Sequence, residues 1–399
     1  MKIAILFENQ QIQGGAFNYS LNILNILCKK EFKNYSIILI TDDVENFKFF
    51  SNQGLDIRLI KKSVITRVYD FFNSIRWLKK IFYKFNIFSQ LEKFLISENI
   101  NLIIFPTGSK TALSLQKTNY VTTLLDICHL EHPLFPEIND LSNFSDKELF
   151  IRNCIPRSVF TLTVSQELKN KAEELYPFLK NKLVVAPLSL SHFRFDKFDK
   201  EKITIDNLNK NFIFYPAHYS AHKNHLSVIK SLKHLKENYN KKINLICCGH
   251  DKGNLKYLES KTKEFNLEKQ ITFYRFQTKE EIYSYFKNCK AVLFLSLFGP
   301  VNIPPIEAWY YKKPLICNQE FIGQVKKAAI LVDPLDYQNI AEGINRLESK
   351  ELINELIAKG NLNLKVLEND DINSTKTILN KIEDYRIKRE LWSSYENQK

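Results

Sequence analysis

The chain has 399 residues, 44% of them hydrophobic, and a formal net charge of +13. That length suits two domains, and that apolar content excludes a disordered chain. Seven cysteines, odd in number and scattered, exclude a disulfide framework and fit a reducing, cytoplasmic setting. The excess of cations fits an anionic membrane surface, a phosphorylated substrate or nucleic acid, without choosing among them.

The elements of the first half alternate strand and helix patterns. Residues 2–7 read as an opening strand that meets polar Glu8-Asn9-Gln10 too soon for a leader. No apolar run approaches the roughly 18–20 residues that cross a bilayer. A loop through Gly14-Gly15 leads to an apolar helix pattern over 17–27. Without side chains, these two residues let the backbone approach a diphosphate and offer it N–H groups, although a plain tight turn accounts for the pair as well. Further strands are expected at 36–41, 56–60, 102–105, 121–125, 161–164 and 183–186. Between them, residues 61–85 set Val68, Phe71, Phe72, Ile75, Leu78, Ile81 and Phe82 on one helical face. Arg67, Arg76, Lys79, Lys80 and Lys84 lie mostly elsewhere. Such a helix packs on its own sheet, or rests in the interface of an anionic inner membrane as a peripheral anchor. Asp126 and His129 follow the strand at 121–125, at the end where α/β proteins bind ligands. The plainer alternative is that Asp126 caps a short helix while His129 packs structurally.

Residues 190–208 are polar and without period, and the linker is placed at 196–208. It separates a domain over 1–195 from one over 209–375. A C-terminal helix over 376–399 is expected to pack back on the first. The second domain carries strand patterns at 212–215, 244–247, 271–274, 291–295, 313–317 and 329–332. Helices are expected over 224–235, 255–265 and 337–347, and Thr278-Lys279-Glu280-Glu281 is a capping box. Strands separated by helices imply an α/β fold of two tandem, doubly wound parallel sheets facing a cleft. Cys247-Cys248-Gly249-His250 reads as a strand end with buried thiols, so no metal site is expected there. The loop after the strand at 212–215 places His218, His222 and Lys223 beside a prospective phosphate.

The most informative stretch is Leu297-Phe298-Gly299-Pro300-Val301-Asn302-Ile303-Pro304-Pro305-Ile306-Glu307-Ala308. It follows an apolar strand, and its prolines suit the first turn of a helix. A strand, a turn with glycine and a helix N-terminus together make an anion site. Glu307 is expected in the first turn, within reach of a sugar hydroxyl beside the phosphate. The ligand this implies is a sugar nucleotide.

This stretch resembles the glutamate signature of the family 4 retaining glycosyltransferases, which have the GT-B fold of two Rossmann-like domains. The family usually reads Glu-Gly-Phe-Gly-Leu-Pro-Pro-Leu-Glu-Ala. Here Glu307 matches the second glutamate, Gly299 stands where the first would be, and Gly-Pro-Val-Asn replaces Glu-Gly-Phe-Gly. That variant resembles a bacterial polysaccharide and lipopolysaccharide branch. In the loop that the family writes Gly-Arg-x5-Lys, Lys223 matches and Ala217 takes the arginine's place. Gly14-Gly15 matches the family's diphosphate-side glycines, and Asp126 with His129 resembles its Asp-x-x-His element. The resemblance implies a sugar transfer with retention, without divalent metal, in cell-surface polysaccharide assembly. The donor it suggests is GDP-mannose, and the acceptor a glycan or lipid-linked glycan. By this likeness Lys223, Asp126 and His129 serve catalysis, while Gly14, Gly15, His218, His222, Asn302, Ile303, Pro304 and Glu307 hold the donor. The likeness also admits two alternatives, a nucleotide-sugar epimerase of the same fold and a catalytically weak partner subunit. A nucleic-acid binder would leave Lys223 and Glu307 without a role, so no nucleic acid is expected.

Overall fold

Apolar runs buried on both faces are what a parallel sheet covered by helices requires, and they form the strands of this chain. The computed structural model describes residues 1–10, 14–61, 72, 75–189, 211–275, 277–299 and 302–396. The chain divides into two compact units, one of Met1–His129, Leu141–Phe195 and Asn369–Lys399, the other of Leu130–Asp140 and Asp196–Glu368. Each is an α/β unit built on one parallel sheet.

In the first unit the strands are β1 (Lys2–Phe7), β2 (Ser36–Thr41), β3 (Ile57–Leu59), β4 (Leu102–Ile104), β5 (Asn119–Leu124), β6 (Thr161–Thr163) and β7 (Leu183–Val185). Their spatial order is β3-β2-β1-β4-β5-β6-β7. The chain therefore winds outward from β1 to β3, then returns to the other side of β1 at β4, which makes the gap between β1 and β4 the switch point. The register pairs Ile3 with Ile37 on one side and Leu102 on the other. Phe7, Phe17 and Phe50 fill the space beneath the helix Gly15–Leu27, with Phe7 and Phe50 centroids 4.5 Å apart.

The second unit repeats the logic with β8 (Phe212–Pro216), β9 (Asn244–Cys248), β10 (Ile271–Tyr274), β11 (Ala291–Phe294), β12 (Leu315–Asn318) and β13 (Ile330–Val332). The order β10-β9-β8-β11-β12-β13 puts its switch point between β8 and β11. Gly249 marks a close approach in this sheet. A Cβ there would lie 2.2 Å from the Ala217 carbonyl oxygen, so only glycine lets the ends of β8 and β9 come together. The capping box at Thr278 and Glu281 forms as its spacing predicts.

Several expectations change. The segment Leu130–Asp140 groups with the second unit, although it follows directly on β5 of the first. The C-terminal helix begins at Lys350 and runs 47 residues to Glu396. Its residues from Asn369 onward belong to the first unit, where Lys29 donates to Asp371 (2.6 Å) and Tyr35 donates to Glu383 (2.5 Å). In the basic-aromatic stretch, the helix Arg76–Lys84 is present. Phe72 and Ile81, on that stretch's apolar face, are 43% and 42% exposed. Residues 62–71 and 73–74, with Arg67, Val68 and Phe71, lie outside the described residues, as does the linker at 196–208. Among the described residues, no helix is long and apolar enough to cross a membrane.

Candidate donor site

The second unit brings Lys223 to its switch point. Beyond β8 the chain turns through Ala221–Lys223, and Asn224 takes a left-handed conformation (φ 54°) that starts the helix His225–Tyr239. Two strand ends hold this turn. Tyr215 at the end of β8 donates its hydroxyl to the Lys223 carbonyl, and the Leu297 N–H beyond β11 donates to the His222 carbonyl at 2.8 Å. The Lys223 ammonium donates to Ser296 Oγ at 3.1 Å and lies 5.5 Å from the centre of the Phe294 ring. Ser296 is fully buried, and its hydroxyl donates onward to the Phe298 carbonyl at 2.8 Å. A cation is thus set over the end of β11, where a parallel sheet binds its ligand.

The helix Ile303–Tyr310 begins just beyond, with Asn302 as its N-cap. Gln324 fixes that cap from both sides. Its side-chain oxygen accepts from the Asn302 N–H (3.2 Å), and its amide donates to the Asn302 carbonyl (2.7 Å). Pro304 and Pro305 occupy the second and third helical positions, so neither has an N–H to offer. Of the donors that a helix start usually leaves over, Ile303 supplies the remaining one. This corrects the expected anion site, because the helix contributes its dipole and a single N–H, while the Lys223 ammonium stands over the neighbouring strand end. Glu307 is corrected as well. It sits at the fifth helical position, past the first turn, and is largely buried. Pro300 and Val301 lie outside the described residues.

The absent family glutamate has a physical counterpart. Gly299 has φ 135°, and a Cβ there would stand 3.0 Å from Asn302 Oδ1. The Asn302 amide in turn donates to the Gly299 carbonyl at 3.4 Å. The asparagine side chain fills the space that a residue at 299 would enter. At 217, where the family has arginine, Ala217 is buried and its N–H continues the sheet to the Cys248 carbonyl (3.0 Å).

Both histidines of the loop are neutral near pH 7. Burial, then His250 and Lys223, push the His218 pKa down to about 4. Its Nδ1 accepts from the His250 N–H at 3.1 Å, which leaves the ring proton on Nε2. Burial and then Lys223 likewise push His222 down to about 4, outweighing Glu137. His222 donates from Nδ1 to Glu137 Oε1 at 3.0 Å. Burial alone would raise the Glu137 pKa, but hydrogen bonds from its own backbone and from His222 hold it below the ordinary carboxylate range. These imidazoles offer hydrogen bonds rather than counter-charge.

In the first unit the expected residues are arranged differently. Gly14 (φ 56°) caps the helix Gly15–Leu27, and a side chain at Gly15 would meet open space. The pair stands beyond β1, at the switch point, where Asn9 donates to Thr107 Oγ1 beyond β4 (2.8 Å). Asp126 and His129 lie one strand away. Asp126 accepts from Lys147 and from the Cys128 N–H at 3.1 Å. His129 is fully buried, with Nε2 3.0 Å from Glu148. Burial works against the Glu148 charge, but Tyr176, His129 and Arg152 hold its pKa below the ordinary range. Asp126 thus caps the short helix that begins at Cys128, and His129 packs inside the unit.

Among the described residues, no cluster of three histidine, cysteine or acidic side chains is placed to hold a metal ion. Sequence reasoning gave no role to Ser296, Tyr215, Phe298 or Glu137. Two of them carried a signal, Ser296 as the polar residue ending the apolar run of β11 and Phe298 as a member of the most informative stretch.

Residues 196–361 match the family model described as Glycosyl transferases group 1. The shared fold is wider. HepE from Anabaena, solved with UDP-glucose, superposes with a TM-score of 0.69 at 15% identity, covering 96% of this chain and all of that one. A glycosyltransferase from Rickettsia africae gives 0.63 at 14% identity, covering 98% of each chain. Sucrose-phosphate synthase from Thermosynechococcus elongatus gives 0.66 at 11% identity, over 99% of this chain and 100% of that one. No curated protein sequence matches. The family match and the GT-B fold support a glycosyltransferase. Lys223, Asn302 and Glu307 fall within the matched residues, while Gly14, Gly15, Asp126 and His129 fall outside them.

Proposed function

We propose that this chain is a retaining glycosyltransferase that moves a sugar from a nucleoside diphosphate donor to a glycan or lipid-linked acceptor of the cell surface. The observation that carries the reading is the Lys223 ammonium, held by buried Ser296 over the switch point of β8 and β11. As the bond between the anomeric carbon and the diphosphate breaks, negative charge collects on the leaving oxygen. A preorganised cation and a helix dipole aimed there are the largest kind of catalytic contribution. Glu307 accepts from the donor's ribose hydroxyls. Asn302, the Ile303 N–H and the His218 Nε2–H donate hydrogen bonds, His222 Nε2 accepts one from a donor hydroxyl, and Pro304 fixes the backbone beside them. Gly14 and Gly15 serve as close-approach backbone in the first unit. Asp126 and His129 serve this reading less directly, by holding Lys147 and Glu148 beyond β5.

Donor hydrolysis across a panel that includes UDP-glucose and GDP-mannose tests it. HepE binds UDP-glucose, and the branch resemblance points to GDP-mannose. Turnover is expected on at least one donor and should survive excess EDTA, since the lysine takes the place of a metal. A partner subunit would bind no nucleoside diphosphate, and an epimerase would interconvert the donor's sugar without releasing it. Glu307→Gln should weaken nucleotide binding by roughly 1.5–3 kcal/mol, the scale of a charged hydrogen bond. Unchanged binding by a folded variant rejects the ribose assignment.

The exposed apolar side chains of Ile81, Tyr83 and Phe85, with Lys80 and Lys84 beside them, support a peripheral seat on an anionic membrane. Wild-type protein should sediment with anionic more than neutral liposomes at low salt. Replacing Arg76, Lys79, Lys80 and Lys84 with glutamine should abolish that preference.

A further inference from the structure

Phe298 stacks with two imidazoles. His222 stacks on it at 4.3 Å and 19°, and His132 at 4.7 Å and 15°. Phe135 closes the edge at 5.0 Å and 68°. Five residues beyond His132, Glu137 Oε1 accepts from two donors of one residue, the His222 backbone N–H (3.2 Å) and its ring Nδ1 (3.0 Å). The segment Leu130–Asp140 is therefore fastened to the residue immediately before Lys223.

We propose that Glu137 is a positioning residue for Lys223, fixing the His222–Lys223 turn so that the ammonium stands where a donor diphosphate would bind. This rests on the donor-binding reading above. His222 is pinned at both ends of its backbone, the N–H by Glu137 and the carbonyl by the Leu297 N–H. The next carbonyl, that of Lys223, is pinned by the Tyr215 hydroxyl. With the flanking peptides fixed, the lysine side chain leaves a defined Cα toward Ser296. Small misplacements of a charge-stabilising group are costly in rate and affinity. Glu137 acts through His222 and touches no reacting atom. Because both hydrogen bonds go to one oxygen, the carbonyl of a glutamine can accept them too, whereas alanine loses both.

Calorimetric binding of UDP and of GDP to the full chain tests this, comparing wild type, Glu137→Ala, Glu137→Gln, Lys223→Ala and the Glu137→Ala/Lys223→Ala pair. We expect Glu137→Ala to weaken the nucleotide that binds by roughly tenfold, and Glu137→Gln to stay near wild type. The pair should be no weaker than Lys223→Ala alone, because the effect of Glu137 passes through the lysine. An unchanged Glu137→Ala, or losses that simply add in the pair, overturns the positioning role. If wild type binds neither nucleotide, or Lys223→Ala binds as wild type does, the donor reading fails and this proposal with it. Should the alanine variant not fold, nitrogen NMR of the wild-type histidines decides. The proton of His222 is expected on Nδ1, and a proton on Nε2 overturns the arrangement.

Discussion

Asp126 and Lys223 occupy comparable places, each just beyond the carboxyl end of a parallel strand, yet their surroundings differ. Asp126 follows β5, one strand away from the switch point of its sheet, and is engaged by Lys147 and a backbone N–H. Nearby His129 is sealed against Glu148. Lys223 follows β8 at the switch point itself, and a buried hydroxyl orients it there. The difference teaches that a polar residue at a strand end is a weak clue until the strand order is known. Where the chain reverses direction across a sheet, two neighbouring loops part and leave room for a ligand. One strand further on, the loops can close over their own side chains.

The sharpest way to break this comparison is to remove each charge in turn. Lys223→Ala should reduce donor turnover by roughly 10²–10³, the cost of losing one group that stabilises developing charge. Asp126→Asn should leave turnover within about twofold, as substitutions away from a working site do. It should lower stability by about 1 kcal/mol through the weakened bonds to Lys147 and Cys128. Equal losses of turnover from the two variants would mean that the strand-order argument does not separate them.

The fold was largely legible in the sequence, because parallel strands buried on both faces show as apolar runs. All of the strands β1–β13 lie at runs read that way. The helices Val44–Ser51 and Gln90–Ser97 were not anticipated, and the C-terminal helix begins 26 residues before the expected 376. The site was legible only in part. Lys223 and Glu307 stood out by spacing, but the groups that orient Lys223 come from far along the chain. Ser296 is 73 residues away, and Glu137 lies 85 residues from His222. No local pattern encodes such pairings. The proline pair misled in a specific way. It signals a helix start correctly, yet the same prolines remove the N–H groups that an anion site at that start would use.

A second, smaller test asks whether the second unit's site is complete without the glutamate that the family signature places at 299. Gly299→Ala isolates the backbone and packing cost, because the φ of 135° is one that only glycine adopts readily and the new Cβ would crowd Asn302. A loss of about 1 kcal/mol or more in stability is expected, with several-fold lower turnover. Gly299→Glu should be no better than the alanine variant, since the Asn302 amide already fills the space. Turnover above wild type in the glutamate variant would show instead that Asn302 is a poor substitute and the site is impaired.

The smallest expected effect is on pH dependence, and it probes the charge state of the site directly. His218 and His222 have pKa values near 4 in the folded chain, against about 6.5 when unfolded. Between those values the unfolded chain binds more protons, so stability rises with pH. The contribution of each imidazole is fully present above about pH 6.5 and is lost as pH falls through 4. Glu137, held below the ordinary carboxylate range, loses its own contribution in the same direction at the acid end. Other carboxylates also titrate there, so the informative quantity is a difference. His222→Gln should shrink the fall in Tm between pH 6.5 and 4 relative to wild type. Donor affinity should stay flat from pH 8 to 6.5, because both imidazoles are neutral across that range. Affinity that climbs as pH drops through 6.5 would mean that a histidine becomes a cation beside the diphosphate. The second unit would then hold its anion with more than the one lysine that distinguishes it from the end of β5.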